Sequence, residues 1–415
     1  MFLLKKARIY DDHSSHHLKQ MDILIDRGVI KDISKSITPP KKARVIKSKN
    51  LCVSPGWLDI GTYNGDPGYE YREDLRSLSD AAFQGGYSAL APFPTSHPTI
   101  DHIGQLRYLL AQAQDLPITI YPIGALTKGR TGTEMTEILD LHKAGVIAFS
   151  DGSQDLLSDA QLERSLLYLS SINGLTIYDA THMGEGVVHE GAVSVHMGLS
   201  GTPSYLEENR IITAIQQSEY VDGRILIHNA STTSWLKQWK SSRNRSNVNI
   251  SVPLLNLTRV DQDVADFNLN LKVAPPLRDK ATKKMLIKAL ESGVINIITS
   301  NHSPLSIEEK DQPFGLSELG ASTLDTVFPA LNTFAEGLSL ARMIYALSRG
   351  PHEGLGIECP TIGSGNVANI TCFDPTIDVM ISAGDIKSRS KNNPFVDVPM
   401  KGKVLGVVNG SHSTL

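Results

Sequence analysis

Between residues 56 and 349 short apolar runs alternate with stretches of helical period, and no other feature of the chain restricts its fold so strongly. Strands separated by helices feed a parallel sheet, because parallel neighbours can only be joined by a crossover. The candidate strands are 51–60, 87–93, 118–123, 146–150, 175–178, 224–228, 248–252 and 294–299. Between them, Ser158 with Gln161 three residues later reads as a capping box ahead of LERSLLYLSSING, a helix that Gly174 ends; another helix covers 280–293. This span and this number of units fit an α/β fold of the (β/α)8 TIM-barrel type, whose chemistry sits at the C-terminal ends of the strands.

The two ends of the chain have a different texture. LLKKARIY, then MDILIDRGVIKDI with Arg27-Gly28 as a hairpin turn, then ARVIKSKNLCV read as short strands up to about residue 55. VANITCFDP and VPMKGKVLGVVNG, with Gly and Asn at the turns, repeat that pattern after about residue 351. A doubly wound sheet would also alternate strands and helices, but it leaves two flanking β segments of like character unexplained.

Length and charge then exclude several partners. A chain of 415 residues that is 40% hydrophobic can bury one large core and a smaller one. A net charge of −4, with the Lys and Arg residues scattered, gives no field to gather nucleic acid or an anionic membrane, and neither is an expected partner. MFLLKKARIYDD places charges after three apolar residues, unlike a signal peptide, and no run reaches membrane-spanning length, so the default location is the cytoplasm. Cys52, Cys359 and Cys372 are odd in number and far apart, which speaks against a disulfide framework or a zinc knuckle and for small buried residues.

The run VSPGWLDIGTYNGDPGYEYREDLRSLSDAAFQGGYSALAPFPTSHPTID resembles the opening of the barrel in dihydroorotases and the related allantoinases and hydantoinases, where a strand ends in Asp-x-His-x-His-x-Arg-x-Pro-Gly. AGVIAFSDG, HEGAVS, NLKVAPPLRDK, IITSNHSPLSIEEKDQPFG, GSGNVANITCFDP and NNPFVDVPMKGKV continue the resemblance in order. The most similar type is the dihydroorotase that partners aspartate transcarbamoylase. The resemblance implies an amidohydrolase barrel over 56–350, with 1–55 and 351–415 joined into a small β-sandwich. It also implies zinc, which polarises water towards hydroxide, and a carboxylate base for opening or closing a cyclic amide.

Residue by residue, the implied machinery is missing. The two His positions of the first motif are Gly61 and Tyr63, and the substrate-gripping Arg position is Gly65. Glycine offers no donor, and a neutral tyrosine is a poor one. In GRILIHNAST the metal His position falls on Asn229, with His228 one residue early and expected on the other side of the strand. In LTIYDATHMGEG it falls on Asp179 or Ala180, and Asp179 could ligate in principle. The base position is Asn301, an amide that cannot take a proton from water, while His302 persists beside it. Thr95 and Leu305 stand where substrate-contacting Asn and His are expected. Asp151 in AFSDG matches a retained ligand position, although a strand-end cap is the commoner role for a lone carboxylate.

Three open questions remain at this level. His182, His189, His196, His228 and His302 match no ligand spacing, but they leave room for a relocated metal cluster. Lys272 and Arg278 in LKVAPPLRDK, with His302, are candidate anion binders; a loop-fixing role is the alternative. The implied function is that of a dihydroorotase-like protein without metal or base, serving pyrimidine biosynthesis as a structural or regulatory subunit. Its expected partners are aspartate transcarbamoylase and a second copy in a homo-oligomer. The alternatives are an active cyclic amidohydrolase with a reduced or relocated metal site, and a sensor of small molecules.

Overall fold

The computed structural model describes residues 1–152, 157–243 and 245–415. Its centre is a ring of parallel strands in chain order: Trp57–Ile60, Tyr87–Ala91, Thr119–Ile120 continuing as Ile123–Gly124, Ala148–Phe149, Leu175–Asp179, Arg224–His228, Val248–Pro253 and Ile297–Thr299. The third strand is broken because Pro122 has no N–H for the ladder, so its first half pairs with the second strand and its second half with the fourth. Helices such as Leu75–Gly85, Asp159–Ser170, Ser204–Val221 and Lys280–Glu291 follow the strands on the outside. The capping box of Ser158 and Gln161 forms as the sequence predicts, and Gly174 N–H closes that helix end on the Leu169 carbonyl. This is the (β/α)8 barrel.

Alternation along the strands sorts the side chains. Leu58, Ile60, Ala89, Ala91, Leu175, Ile177, Leu226 and Ile297 fill the barrel interior. Their neighbours Ile225, Ile227 and Ile250 face the helices and pack with residues such as Leu166 and Ile215. A buried carboxylate joins the first strand to the eighth. Asp59 accepts Ser300 N–H at 2.8 Å and also the Ser300 hydroxyl, and Tyr63 N–H reaches the His302 carbonyl at 3.0 Å.

The two ends of the chain join in one sheet, in the order His412–Ser413, Pro399–Asn409, Asn369–Met380, Cys52–Pro55, Phe2–Ile9, Gln20–Asp26 and Val29–Ser34, with Arg44–Ile46 also on Phe2–Ile9. It forms the β-sandwich domain beside the barrel, around Leu4, Ile9, Ile23, Ile25, Val53 and Ile370. Arg27 and Gly28 have φ of 48° and 73°, the left-handed pair that a two-residue hairpin turn of this hand requires. The predicted strand 51–60 is divided: Cys52–Pro55 belongs to the sandwich and Trp57–Ile60 to the barrel. Gly56 is the crossing point, where a Cβ would lie 1.9 Å from Asn369 Oδ1 and 2.0 Å from Ser88 Oγ. Cys52, Cys359 and Cys372 are buried free thiols.

Within the stretch 351–415, residues 386–393 leave the sandwich and pack on the barrel. Ser388 Oγ and Arg389 N–H bond to Glu73, Asn392 Nδ2 to the Gly320 carbonyl, and Asn393 Nδ2 to Thr326. No helix among the described residues is long and apolar enough to cross a membrane.

Removing the Asp59 carboxylate leaves two sealed donors of Ser300 without an acceptor. Asp59→Ala is therefore expected to cost about 2–4 kcal/mol and Asp59→Asn, which keeps one acceptor, less. Denaturant unfolding of the two variants checks this ordering; an Asp59→Ala chain as stable as the parent would refute the closure.

Candidate active site

The C-terminal ends of the strands form a mouth in which each implied ligand position can be inspected. At the end of the first strand, Gly61 has φ of 82° and no room for a side chain. A Cβ there would lie 2.5 Å from His228 Cε1, 2.6 Å from His228 Nε2 and 2.8 Å from Phe93 Cε2. His228 therefore points into the barrel interior, above Leu226 and against Gly61. This corrects the expectation that it faces away: the inward face of the sixth strand carries residues 226 and 228. Its ring meets Phe93 edge-on at 4.9 Å, and Nδ1 lies 3.4 Å from Ser251 Oγ. Burial pushes its pKa down to about 3, so the imidazole is neutral.

Two amides bond to each other where the resemblance places a metal imidazole and a base. Asn229 Nδ2 donates to Asn301 Oδ1 at 2.9 Å, Asn301 Nδ2 donates to the Ala274 carbonyl at 3.0 Å, and Thr299 Oγ1 donates to Asn229 Oδ1 at 2.6 Å. Both residues take left-handed φ, 56° and 51°, a conformation that asparagine tolerates better than most residues.

The carboxylates are committed as well. Asp151 accepts Thr127 N–H at 2.9 Å and Thr127 Oγ1 at 2.6 Å, which ties the fourth strand's end to the third-strand loop as a cap does. Asp179 ends the fifth strand, accepts Thr181 N–H at 2.9 Å, and has its pKa raised to about 6 by burial. Tyr63 lies beneath the Arg72 guanidinium, 5.7 Å from its ring centre, and burial raises its phenol pKa to about 12.

The implied substrate positions have become loop structure. At Gly65 a Cβ would lie 2.5 Å from the Tyr69 carbonyl and 2.7 Å from that of Glu73, so the turn excludes an arginine. Thr95 Oγ1 clasps Asn64 through its N–H and its carbonyl. Leu305 is buried, and its carbonyl accepts Ser390 Oγ at 2.6 Å.

All three candidate anion binders are corrected, because their donors are spent inside the fold. Lys272 Nζ donates to the carbonyls of Phe314, Gly315 and Ser317. Arg278 donates to Ser231 Oγ at 2.9 Å, to buried Glu207 at 2.9 Å and to His189 Nδ1 at 3.2 Å. His302 Nδ1 accepts Thr323 N–H at 3.0 Å, which leaves Nε2 to face Glu73 Oε2 at 3.3 Å. Nor do the histidines assemble. His196 is exposed on Ala192–Met197, His182 lies in the loop after the fifth strand, His189 ends the short strand Val188–His189, and among the described residues no three His, Cys, Asp or Glu side chains group to hold a metal.

A zinc centre of the implied kind thus does not fit the donors present. Gly61 has neither donor nor space, a ligand position and the base position are amides bonded to each other, and both Asp151 oxygens accept from Thr127. Glu207, Glu73 and Arg130 carry no signal in the sequence. Charged residues inside helical or loop patterns read as solvated, and only the partners they meet in the fold reveal burial.

Two outcomes follow. Gly61→Ala is expected to destabilise by about 1–3 kcal/mol through strain and overpacking, and less by about 1 kcal/mol in a His228→Ala background, since φ strain and Phe93 remain. Denaturation of the four chains checks this, and additivity would show that the two sites do not compete for space. For Asp179 burial lifts the folded pKa above the ordinary carboxylate value, so its contribution to stability is greatest below about pH 4 and declines as the pH rises to about 6. Asp179→Asn should raise the melting temperature relative to the parent more at about pH 8 than at about pH 4, and a difference independent of pH would contradict the shift.

Comparison with known proteins agrees with the architecture. The family described as dihydro-orotase-like matches residues 51–229. A protein named dihydroorotase from Thermoanaerobacter sp. (strain X514) is 32% identical over 410 residues, 97% of this chain and 94% of that one. One of the same name from Geobacter sp. (strain M21) is 30% identical over 417 residues, 98% of each. Among solved structures, an L-hydantoinase (dihydropyrimidinase) from Arthrobacter aurescens superposes with a TM-score of 0.85 at 21% identity, covering 100% of this chain and 96% of that one. At that identity it shows the fold alone, and the sequence relatives carry the assignment: the chain belongs to the dihydroorotase-like family of amidohydrolases.

Proposed function

We propose that this chain is a non-catalytic member of its family, a structural or regulatory subunit in pyrimidine biosynthesis. The observation that carries the reading is the Asn229–Asn301 hydrogen bond, which puts two neutral amides where a metal ligand and a proton acceptor would have to work. A barrel kept well packed while its mouth is cross-linked by internal hydrogen bonds fits a role in assembly. Aspartate transcarbamoylase as partner, and a homo-oligomer, extend this reading on family resemblance.

A second reading rests on a different observation. Relatives 29–32% identical over nearly the whole chain bear the name dihydroorotase, and this favours a cyclic amidohydrolase that hydrolyses a cyclic amide C–N bond. On that reading Asp151 and Asp179 would serve a reduced metal site.

Metal analysis and assay of the purified chain separate the two. The first reading expects less than about a tenth of an equivalent of tightly bound zinc and no turnover of dihydroorotate. Near-stoichiometric zinc, with turnover that Asp151→Ala abolishes, establishes the second. Co-purification with aspartate transcarbamoylase is expected on the first reading, and a chain that neither binds it nor alters its assembly would remove that partner.

A further inference from the structure

One charged side chain at the mouth has no role in what precedes. Arg130 ends the turn Lys128–Arg130 after the third strand, with φ of 58°, and is 8% exposed. Of its five N–H donors one is spent, Nε–H on the Asp151 carbonyl at 2.8 Å. Among the described residues Nη1 and Nη2 make no hydrogen bond and no ion pair, and they are not sealed from solvent. The nearest carboxylate, Asp151, is held by Thr127.

Among the described residues, the other buried lysines and arginines have a partner on every side-chain nitrogen. Lys310 Nζ donates to the carbonyls of Lys272, Glu318 and Gly320, and Arg349 donates to Asp11, Asp12 and His13. A guanidinium this buried with both terminal nitrogens free of protein partners keeps donors open to a ligand that reaches them. Its surroundings say which. A Cβ on Gly152 would lie 3.1 Å from Arg130 Nη2 and 3.6 Å from Phe93 Cδ2, so the guanidinium and an aromatic ring flank the same side-chain-free residue. Tyr63 and Tyr69 lie within electrostatic reach. The two idle nitrogens form the fork that grips a carboxylate at two points.

We propose that Arg130 anchors an anion site in the barrel mouth, which takes the carboxylate of a small organic acid on Nη1 and Nη2. The site needs neither metal nor catalysis and stands apart from the functional reading above.

Benzoate is a suitable probe, with benzamide as its neutral isostere and inorganic phosphate as a non-planar anion, measured by calorimetry on the full chain. Saturable benzoate binding is expected, with benzamide and phosphate weaker. Arg130→Gln, which keeps a donor for the Asp151 carbonyl, should weaken benzoate by at least about tenfold at an unchanged melting temperature. Arg130→Lys, which keeps the charge without the fork, should also weaken it, and it serves as the readout if the glutamine variant does not fold. The proposal is overturned if the parent binds no benzoate up to about 10 mM, if benzamide or phosphate binds as well, or if the variants bind benzoate like the parent.

Discussion

Asp59 holds the barrel shut. A ring of parallel strands must join its first member to its last, and here a fully buried carboxylate bonds to the backbone and the hydroxyl of Ser300 to make that join. Burial raises its pKa to about 6, so the closure carries an electrostatic cost that the Ser300 hydrogen bonds offset. Everything at the mouth hangs from this seam: Gly61 and Tyr63 follow Asp59, and Asn301 and His302 follow Ser300.

Around that seam, the groups that the family resemblance assigns to chemistry are replaced by groups that satisfy one another. His228 fills the space a side chain at 61 would need, Asn229 and Asn301 share a hydrogen bond, and Thr127 occupies both oxygens of Asp151. His302 turns to Glu73, which also receives Ser388 and the Arg389 N–H from the C-terminal segment. Buried polar groups left without partners are costly, and most of these groups find internal bonds, while His228 Nε2 and the Tyr63 hydroxyl find none among the described residues. At Arg130, only Nε–H is engaged among the described residues.

Much of this was legible beforehand. The alternation of strands and helices, the β-rich ends, the Arg27-Gly28 hairpin and the Ser158 cap are local patterns, and local patterns survive into the fold. The substitutions at 61, 63, 65, 229 and 301 were legible too, since the identity of a side chain settles whether it can donate to a metal. Directions and partners were not. His228 was expected to face away, yet the inward face of its strand runs through 226 and 228. Lys272 and Arg278 looked like rim cations available to an anion, but the carbonyls that cage Lys272 come from 314–317 and the carboxylate that holds Arg278 from Glu207, all far off in sequence. The division of 51–60 at Gly56 depended on Asn369 and Ser88, which no local pattern announces.

The sequence by itself determined the barrel, the β-rich ends and the loss of imidazole at positions 61, 63 and 229, because periodicity and side-chain chemistry are properties of the chain read in order. Only the tertiary structure decided which polar residues are spent and which remain free. Hydrogen-bond satisfaction is settled by neighbours in space, and at Arg130 the described neighbours engage Nε–H alone.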